Sequence, residues 1–221
     1  MARSTFDIHL HHLLEDLMQL GGMVEKAIAT SLQALKDRDL KTSERVVKED
    51  DFIDQKRWEL EDRCLELIAT QQPMAVDLRV LVTILHISVE LERMGDYAEG
   101  IGKISLMMGD EPPLKPLVDI PLMAEKASDM LNRSLDALVR RDTEEAVKVC
   151  NKDDEVDELY DKVYRDLLDL MIQDPANVQR ATYLLWVAHD LERIADRATN
   201  IAERVVFLVT GKMLELNVSK Y

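Results

Sequence analysis

Four pairs of acidic residues stand four positions apart in this 221-residue sequence, and carboxylates at that spacing can bind metal ions. On a helix, residues i and i+4 share one face, with their Cβ atoms about 5–6 Å apart. Like charges this close destabilise a helix by roughly a few tenths of a kcal/mol, which a bound cation would offset. The candidate metal ligands are Asp50 and Asp54, Glu92 and Asp96, Asp153 and Asp157, and Glu192 and Asp196.

The placement of these acids on their helices favours a shared site. Glu92 lies beside Leu91 and Asp96 beside Gly95, so both acids border an apolar stripe. If the helices that carry Asp50 and Glu92 are antiparallel neighbours, the two pairs converge on one patch. A single acidic pair is more often a solvated helix face, but recurrence on equivalent helices favours metal binding. Hard oxygen ligands suit Mg²⁺, Mn²⁺, Ca²⁺ or iron.

The acidic pairs recur because the chain is an internal duplication. Four blocks of the first half return in the same order in the second half. The segment MVEKA (23–27) returns as MAEKA (123–127), SLQAL (31–35) as SLDAL (134–138), Asp50, Asp51 and Asp54 as Asp153, Asp154 and Asp157, and LER with its following Asp (91–96) at 191–196. The offset is 100 residues for the first and last blocks and 103 for the other two.

The connection between the halves is rich in proline, and the rest of the sequence is typical of helices. Residues 109–121 hold four of the six prolines, which lack a backbone N–H and interrupt helices. Apolar residues at intervals of three and four predict an all-α fold of two tandem three-helix bundles. The predicted helices cover 6–37, 41–71 and 74–108, then 119–140, 143–173 and 176–210. We expect the first repeat at 1–110, a linker at 111–121 and the second repeat at 122–221.

The composition argues against several classes of partner. A formal net charge of −15 disfavours binding to nucleic acid and to anionic membrane surfaces. Asp7, Glu15 and Asp16 interrupt the apolar residues near the start, so we expect no secretory signal peptide. Cys64 and Cys150 are not at a metal-site spacing and suit a reducing compartment, which predicts a cytoplasmic protein.

Several of these motifs together resemble the PhoU family of phosphate-signalling regulators. The first half has the acids from Asp50 to Asp54, then TQQP (70–73), DLR (77–79) and LERMGD (91–96). The second half has LERIAD (191–196) and TNIAE (199–203). The resemblance covers essentially the whole chain, and it is specific because the blocks occur in duplicate and in order.

Membership of this family implies two three-helix bundles whose acidic motifs bind multinuclear metal clusters, with iron expected and Mn, Mg, Zn or Ca as alternatives. It also implies a cytoplasmic homodimer that negatively controls phosphate uptake and phosphate-starvation signalling and catalyses no reaction. The implied partners are the ATPase of the phosphate ABC transporter and a sensor histidine kinase, through which the protein would reach the membrane. None of these roles follows from periodicity or spacing.

Two other functions stay open on the residues alone. A metalloenzyme would use the carboxylate cluster to activate water or oxygen, although no general base or nucleophile recurs beside the ligands. A purely structural helical adaptor would leave the acids as a solvated face.

The two halves also differ next to their acidic motifs. Asn200 stands where the first half has Gly100, and His189, three residues before Glu192, stands where the first half has Val89. The DLR block has no counterpart in the second half. We therefore expect two unequal metal sites.

Overall fold

The computed structural model describes residues 2–213, which form an all-α fold of seven α-helices. The helices are α1 (Ala2–Asp37), α2 (Leu40–Gln71), α3 (Val76–Met108), α4 (Asp119–Arg140), α5 (Thr143–Cys150), α6 (Asp153–Gln173) and α7 (Val178–Thr210). A short 3-10 turn at Pro175–Asn177 precedes α7. Within the described range no strand occurs, and no helix is long and apolar enough to cross a lipid bilayer.

The helices pack as two tandem three-helix bundles, which confirms the predicted fold class. In the first bundle α1, α2 and α3 contact one another, and in the second α7 packs against α4, α5 and α6. Each helix presents an apolar stripe to its bundle, because residues three and four apart share one face. In α1 the stripe consists of Leu13, Leu17, Leu20, Val24 and Ile28, all of which are buried.

The middle helix of the second bundle differs from the prediction of one continuous helix over 143–173. It is broken at Asn151 and Lys152, so that Asp153 is the first residue of α6. Asn is a poorer helix former than Lys, and the acids at the start of α6 lie at the positive end of the helix dipole. The first half has Lys48 and Glu49 at these positions, and α2 runs through them unbroken.

An Arg–Asp pair joins the first two helices of each half. Arg38 and Arg141 have positive φ angles of 59° and 54°, the left-handed conformation that commonly ends a helix. The carboxylates of Asp39 and Asp142 then cap α2 and α5. Each accepts a hydrogen bond from the backbone N–H three residues further on, at 3.1 and 3.0 Å. Both halves therefore turn into their second helix in the same way.

The burial pattern shows how the two halves correspond. Buried residues of α1 recur in α4 at an offset of 103: Leu17, Leu20, Val24 and Ile28 match Ile120, Met123, Ala127 and Leu131. The same offset relates the acids of α2 to those of α6, whereas α3 and α7 are related by 100 residues. The similarity of MVEKA to MAEKA, at an offset of 100, is therefore not a structural equivalence.

Helices α3 and α7 pack antiparallel and hold the two bundles together. Glu90 of α3 accepts hydrogen bonds from Arg197 (3.2 Å) and Asn200 (3.1 Å) of α7. Further along α3, a Cβ atom at Gly100 would lie 2.9 Å from Oδ2 of Asp190 on α7. Because the residue numbers on α7 fall as those on α3 rise, an approximate twofold axis relates the bundles.

Candidate metal centre

The first acidic cluster brings together residues from two neighbouring helices. We define it as Asp50 and Asp54 of α2 with Glu92 and Asp96 of α3. One ligand oxygen from each of Asp50, Asp54 and Asp96 lies within 4.8 Å of the other two. Among residues 2–213, this is the one group of three such side chains that meets that distance. In the first half the structure thus brings together Asp50, Asp54 and Asp96 of the four predicted acids, whereas Glu92 offers no oxygen within that distance.

Among the described residues, no protein cation pairs directly with the acids of this cluster, although the charges of Lys103, Arg57 and Arg93 act on them from further away. No hydrogen bond or ion pair joins Asp50, Asp54, Glu92 or Asp96 to another residue in the described part of the chain. The nearby cations are engaged elsewhere: Arg57 pairs with Glu61 at 2.6 Å and Lys103 with Glu99 at 2.5 Å. The repulsion among the acids is therefore left for another cation to relieve.

Raised pKa values in the first cluster also indicate that its acids repel one another. Burial, followed by the negative charges of Glu99, Asp96 and Asp54, raises the pKa of Asp50 to about 7. Burial and then neighbouring acids, chiefly Asp96 for Glu92 and Asp54 for Asp96, also raise the pKa of those two carboxyls. Closely spaced, partly desolvated carboxylates of this kind are stabilised by a divalent or trivalent cation.

Two residues of the first cluster's surroundings were not found by the sequence reasoning. Glu99 lies about one turn beyond Asp96 on α3, and its charge acts on Asp50. Gly95 lets the α2 carboxylate approach the α3 backbone, since a Cβ atom there would lie 3.1 Å from Oδ1 of Asp50 and from Ile53. Both lie on the side of α3 that faces α2. Their helical spacing from Glu92 and Asp96 could therefore have placed them beside the cluster from the sequence.

The second acidic cluster lies at the equivalent place in the second bundle. We define it as Asp153 and Asp157 of α6 with Glu192 and Asp196 of α7. Burial, then the charges of Asp157, Asp196 and Glu192, raises the pKa of Asp153 to about 7. Burial and the charge of Asp196 likewise raise the pKa of Glu192 to about 7. The charges of these acids thus interact, but no three of the four offer oxygens within 4.8 Å of one another, and Asp153 lies at a helix start.

A guanidinium group distinguishes the second cluster from the first. Arg193 donates a hydrogen bond to Asp196 at 2.7 Å and a further one to the hydroxyl of Tyr97 on α3. The corresponding Arg93 is half exposed and lies 3.8 Å from Glu90, and no hydrogen bond joins it to the acids of the first cluster within the described range. The Oε2 atom of Glu192 is buried and accepts no hydrogen bond. In the second cluster Asp196 is therefore already paired with a cation, and one oxygen of Glu192 accepts no hydrogen bond.

The two differences noted in the sequence have different structural meanings. His189 lies at the second cluster, with Nδ1 3.7 Å from Oε2 of Glu192. Asn200 instead lies at the contact between the bundles and donates to Glu90, so the structure does not place it among the acids. The two clusters do differ, and the residues that make them differ are Arg193 and His189, not Asn200.

Comparison with known proteins identifies relatives over almost the whole chain. A family model described as the PhoU domain matches the sequence twice, at residues 17–105 and 120–205. A "Phosphate-specific transport system accessory protein PhoU homolog" of Clostridium acetobutylicum is 39% identical over 218 residues, which cover 98% of this chain and 100% of the relative. The homolog of the same name from Aquifex aeolicus is 40% identical over 206 residues, 93% of each chain.

Solved structures with the same fold are also similar in sequence. The crystal structure of PhoU from Pseudomonas aeruginosa superposes with a TM-score of 0.89 at 32% identity, covering 94% of this chain and all of the other. The phosphate transport system regulatory protein PhoU from Streptococcus pneumoniae has the same TM-score at 30% identity, with 95% and 99% covered.

Proposed function

The chain belongs to the PhoU family, and from that premise we propose that it is a regulatory accessory protein of phosphate transport. The names of its relatives support this role, and the two matched repeats span both bundles. The boundaries that we propose for the repeats are 1–110 and 122–221, joined by the linker 111–121. In this role the protein would restrain phosphate uptake and starvation signalling when phosphate is abundant.

We further propose that both acidic clusters bind metal ions as part of this regulatory function. The observation that carries this proposal is the first cluster, in which Asp50, Asp54 and Asp96 approach within 4.8 Å with no protein cation paired to them. Closely spaced carboxylates, of which Asp50 and Asp54 are half-buried and Asp96 is exposed, fit a hard cation, and several acids per cluster allow more than one ion. The ions would fix α2 against α3 and α6 against α7. We propose iron as the metal, with Mn, Mg, Zn or Ca as alternatives.

The partners that we propose are the ATPase of the phosphate ABC transporter and a sensor histidine kinase, in the cytoplasm, with the protein acting as a homodimer. Such partners suit a protein whose described helices do not cross a membrane. The net charge of −15 suits basic surfaces on these partners and disfavours nucleic acid. We propose no enzymatic reaction, because the acids are accompanied by no nucleophile in either cluster.

The alternative function is a metalloenzyme, and one observation favours it. His189 at the second cluster brings an imidazole to within 3.7 Å of a carboxylate that accepts no hydrogen bond. An imidazole in that position can act as a general base or as a metal ligand. Turnover of phosphoesters by metal-loaded wild type but not by His189→Ala would support this alternative.

The regulatory proposal is tested by genetic complementation. A bacterium that lacks its own family member should express phosphate-starvation genes in phosphate-rich medium, and the wild-type chain should restore repression. The variants Asp54→Asn and Asp96→Asn should restore it poorly if the first cluster is needed. Full repression by both variants, at normal protein levels, would show that this cluster has no role in regulation.

The metal proposal is tested by elemental analysis after purification without chelator. We expect the wild type to retain transition metal, and the pair Asp54→Asn and Asp157→Asn to separate the contributions of the two clusters. Asp136→Asn is the control, because that acid is exposed on α4 and pairs only with Arg140, four residues away, within the described range. A wild type that retains no metal and is not stabilised by added Fe³⁺ or Mn²⁺ would contradict the proposal.

A further inference from the structure

A cavity of about 410 Å³ opens between α1, α2 and α3, directly beside the first cluster. Its lining combines apolar and charged side chains. The apolar ones are Met23, Ala27, Val46, Phe52 and Ile53, and the charged ones are Lys26, Arg45, Glu49, Glu99 and Asp50 of the cluster. Phe52 is 59% exposed, so that much of its ring is available to a bound molecule. Cavities of this size and lining are typical of small-molecule sites.

The equivalent place in the second bundle differs in a specific way. By the 103-residue offset, Met23 and Phe52 correspond to Lys126 and Glu155, which form an ion pair at 2.5 Å. A second ion pair, between Lys152 and Asp129 at 2.6 Å, also crosses this place. The cavity that remains there measures about 230 Å³ and is lined mainly by these charged side chains. Equivalent places in the two bundles thus differ. The first bundle has an open cavity, which we call the open groove, and in the second bundle two ion pairs span the same place.

Charge distinguishes the open groove further. Lys26, which replaces Asp129, lines the cavity and makes no ion pair within the described range. Arg45 also lines the cavity. Its ion pair with Glu49 is long, at 3.9 Å, and both side chains are at least half exposed. Glu99 on the floor is already paired with Lys103. An apolar pocket with an unpaired ammonium at its rim is complementary to a molecule with an apolar body and a negative group.

We propose that this cavity binds an amphipathic organic anion. Its apolar part packs against Met23, Phe52 and Ile53, and its anionic group lies between Lys26 and Arg45. In one respect this rests on the proposed function, because metal ions at the first cluster would offset the charge of Asp50 below the ligand. A ligand seated here contacts the α1–α2 face of the cluster and would couple its own concentration to the state of the metal site.

The proposal is tested by fluorescence titration with anilinonaphthalene sulfonate, an amphipathic organic anion, on metal-loaded wild-type protein. We expect one bound probe per chain. Phe52→Glu and Lys26→Gln should each weaken binding by about tenfold or more, since they remove the apolar wall and the free cation. Trp58→Glu is the matched control, because Trp58 is 57% exposed on the same helix but lies outside the cavity. Equal loss with Trp58→Glu, or no loss with Phe52→Glu, would overturn the proposal.

A gain-of-site variant makes the test independent of loss by misfolding. The double substitution Lys126→Met and Glu155→Phe gives the second bundle the apolar pair of the first. We expect the stoichiometry to rise from one probe to two per chain, and an unchanged stoichiometry would show that these positions do not govern binding. Metal content is measured on every variant. Probe binding that survives in a chain without metal leaves the cavity proposal standing while the metal proposal fails, and unaltered metal with no probe bound gives the reverse.

Discussion

The Oδ1 atom of Asp50 lies 3.1 Å from the point that a Cβ atom would occupy at Gly95. This close approach brings a carboxylate of α2 onto the backbone of α3 at the centre of the first cluster. In the second bundle the corresponding residue is Ala195, which is fully buried, and Asp153 lies at a helix start. The glycine therefore belongs to the geometry of the first cluster alone.

The substitution Gly95→Ala is expected to weaken metal binding at the first cluster. The added methyl group would push against Asp50 and Ile53, so that the carboxylate moves away from Asp54 and Asp96. We expect a loss of about tenfold in metal affinity, which is typical when a ligand's support is changed. Calorimetric titration of the metal-free protein measures it.

Gly22→Ala provides the control for this substitution. Gly22 lies within α1, and a Cβ atom there would meet no other atom within 4 Å. Alanine should therefore stabilise the helix by up to about 1 kcal/mol and leave metal affinity unchanged. A loss of metal affinity in both variants would mean that the effect does not come from Asp50.

Arg193→Gln is expected to strengthen metal binding at the second cluster. In the wild type, a metal ion that binds Asp196 must displace the guanidinium group that lies 2.7 Å away. We expect a gain of about tenfold in affinity, measured in an Asp54→Asn background so that the first cluster does not contribute. Arg93→Gln is the matched control, since Arg93 pairs with Glu90 and acts only on acids of the first cluster, which the Asp54→Asn background already disables. Weaker binding in Arg193→Gln would indicate that the guanidinium supports the site.

The contact between the two bundles should depend strongly on Glu90 and Arg197. These side chains are only 16% and 13% exposed and lie 3.2 Å apart. Breaking such a pair leaves a poorly solvated charge, so Arg197→Met should lower the free energy of unfolding by about 3 kcal/mol. Arg140→Met, at a pair that is mostly exposed, should cost less than about 1 kcal/mol.

A double-mutant cycle on the bundle contact distinguishes a true pair from loss of packing. The double variant Glu90→Gln with Arg197→Met should be more stable than the sum of the two single losses predicts, because no unpaired charge remains. Urea denaturation of the four proteins gives the coupling free energy. A coupling near zero would show that Arg197 does not hold Glu90, which Asn200 and Arg93 also contact.

Much of this molecule is determined by local sequence, and the rest by packing between distant segments. The spacing of Glu92 and Asp96 beside an apolar stripe was enough to place them towards α2, because helical periodicity sets direction. The same periodicity did not show that Asn200 lies against Glu90, since that requires knowing that α3 and α7 are antiparallel. The break before Asp153 also depends on competition between local propensity and tertiary contacts.

The open groove beside the first cluster illustrates the same limit. The similarity of MVEKA to MAEKA pairs Lys26 with Lys126, whereas the buried residues pair Lys26 with Asp129. Only the three-dimensional register shows that the ion pair of Lys126 and Glu155 occupies the place of Met23 and Phe52. Aligning these two segments by their identical residues gives a register that is wrong by three residues, about one helical turn.

The stability of the metal-free protein should fall as the pH rises from about 4 to about 7 and level off above that. Burial alone raises the pKa of Asp190 to about 7, and the carboxyls of Asp50, Asp153 and Glu192 have pKa values raised to the same level. Below pH 7 the folded state keeps protons that the unfolded state, with ordinary carboxyl pKa values near 4, has released. Because the folded state binds more protons than the unfolded state from about pH 4 to pH 7, the free energy of unfolding decreases over that interval and levels off once the folded carboxyls have ionised as well.

Asp190→Asn isolates one of these groups. The amide does not titrate, so the change in stability between about pH 6 and pH 8 should shrink by about 1 kcal/mol, which thermal unfolding in the presence of chelator measures. Metal-loaded protein should show the opposite trend, because ions bind the deprotonated carboxylates of the clusters and binding strengthens as the pH rises. A metal-free protein that becomes more stable from pH 6 to pH 8 would mean that these carboxyls are already ionised in the folded state and that other groups balance their charge.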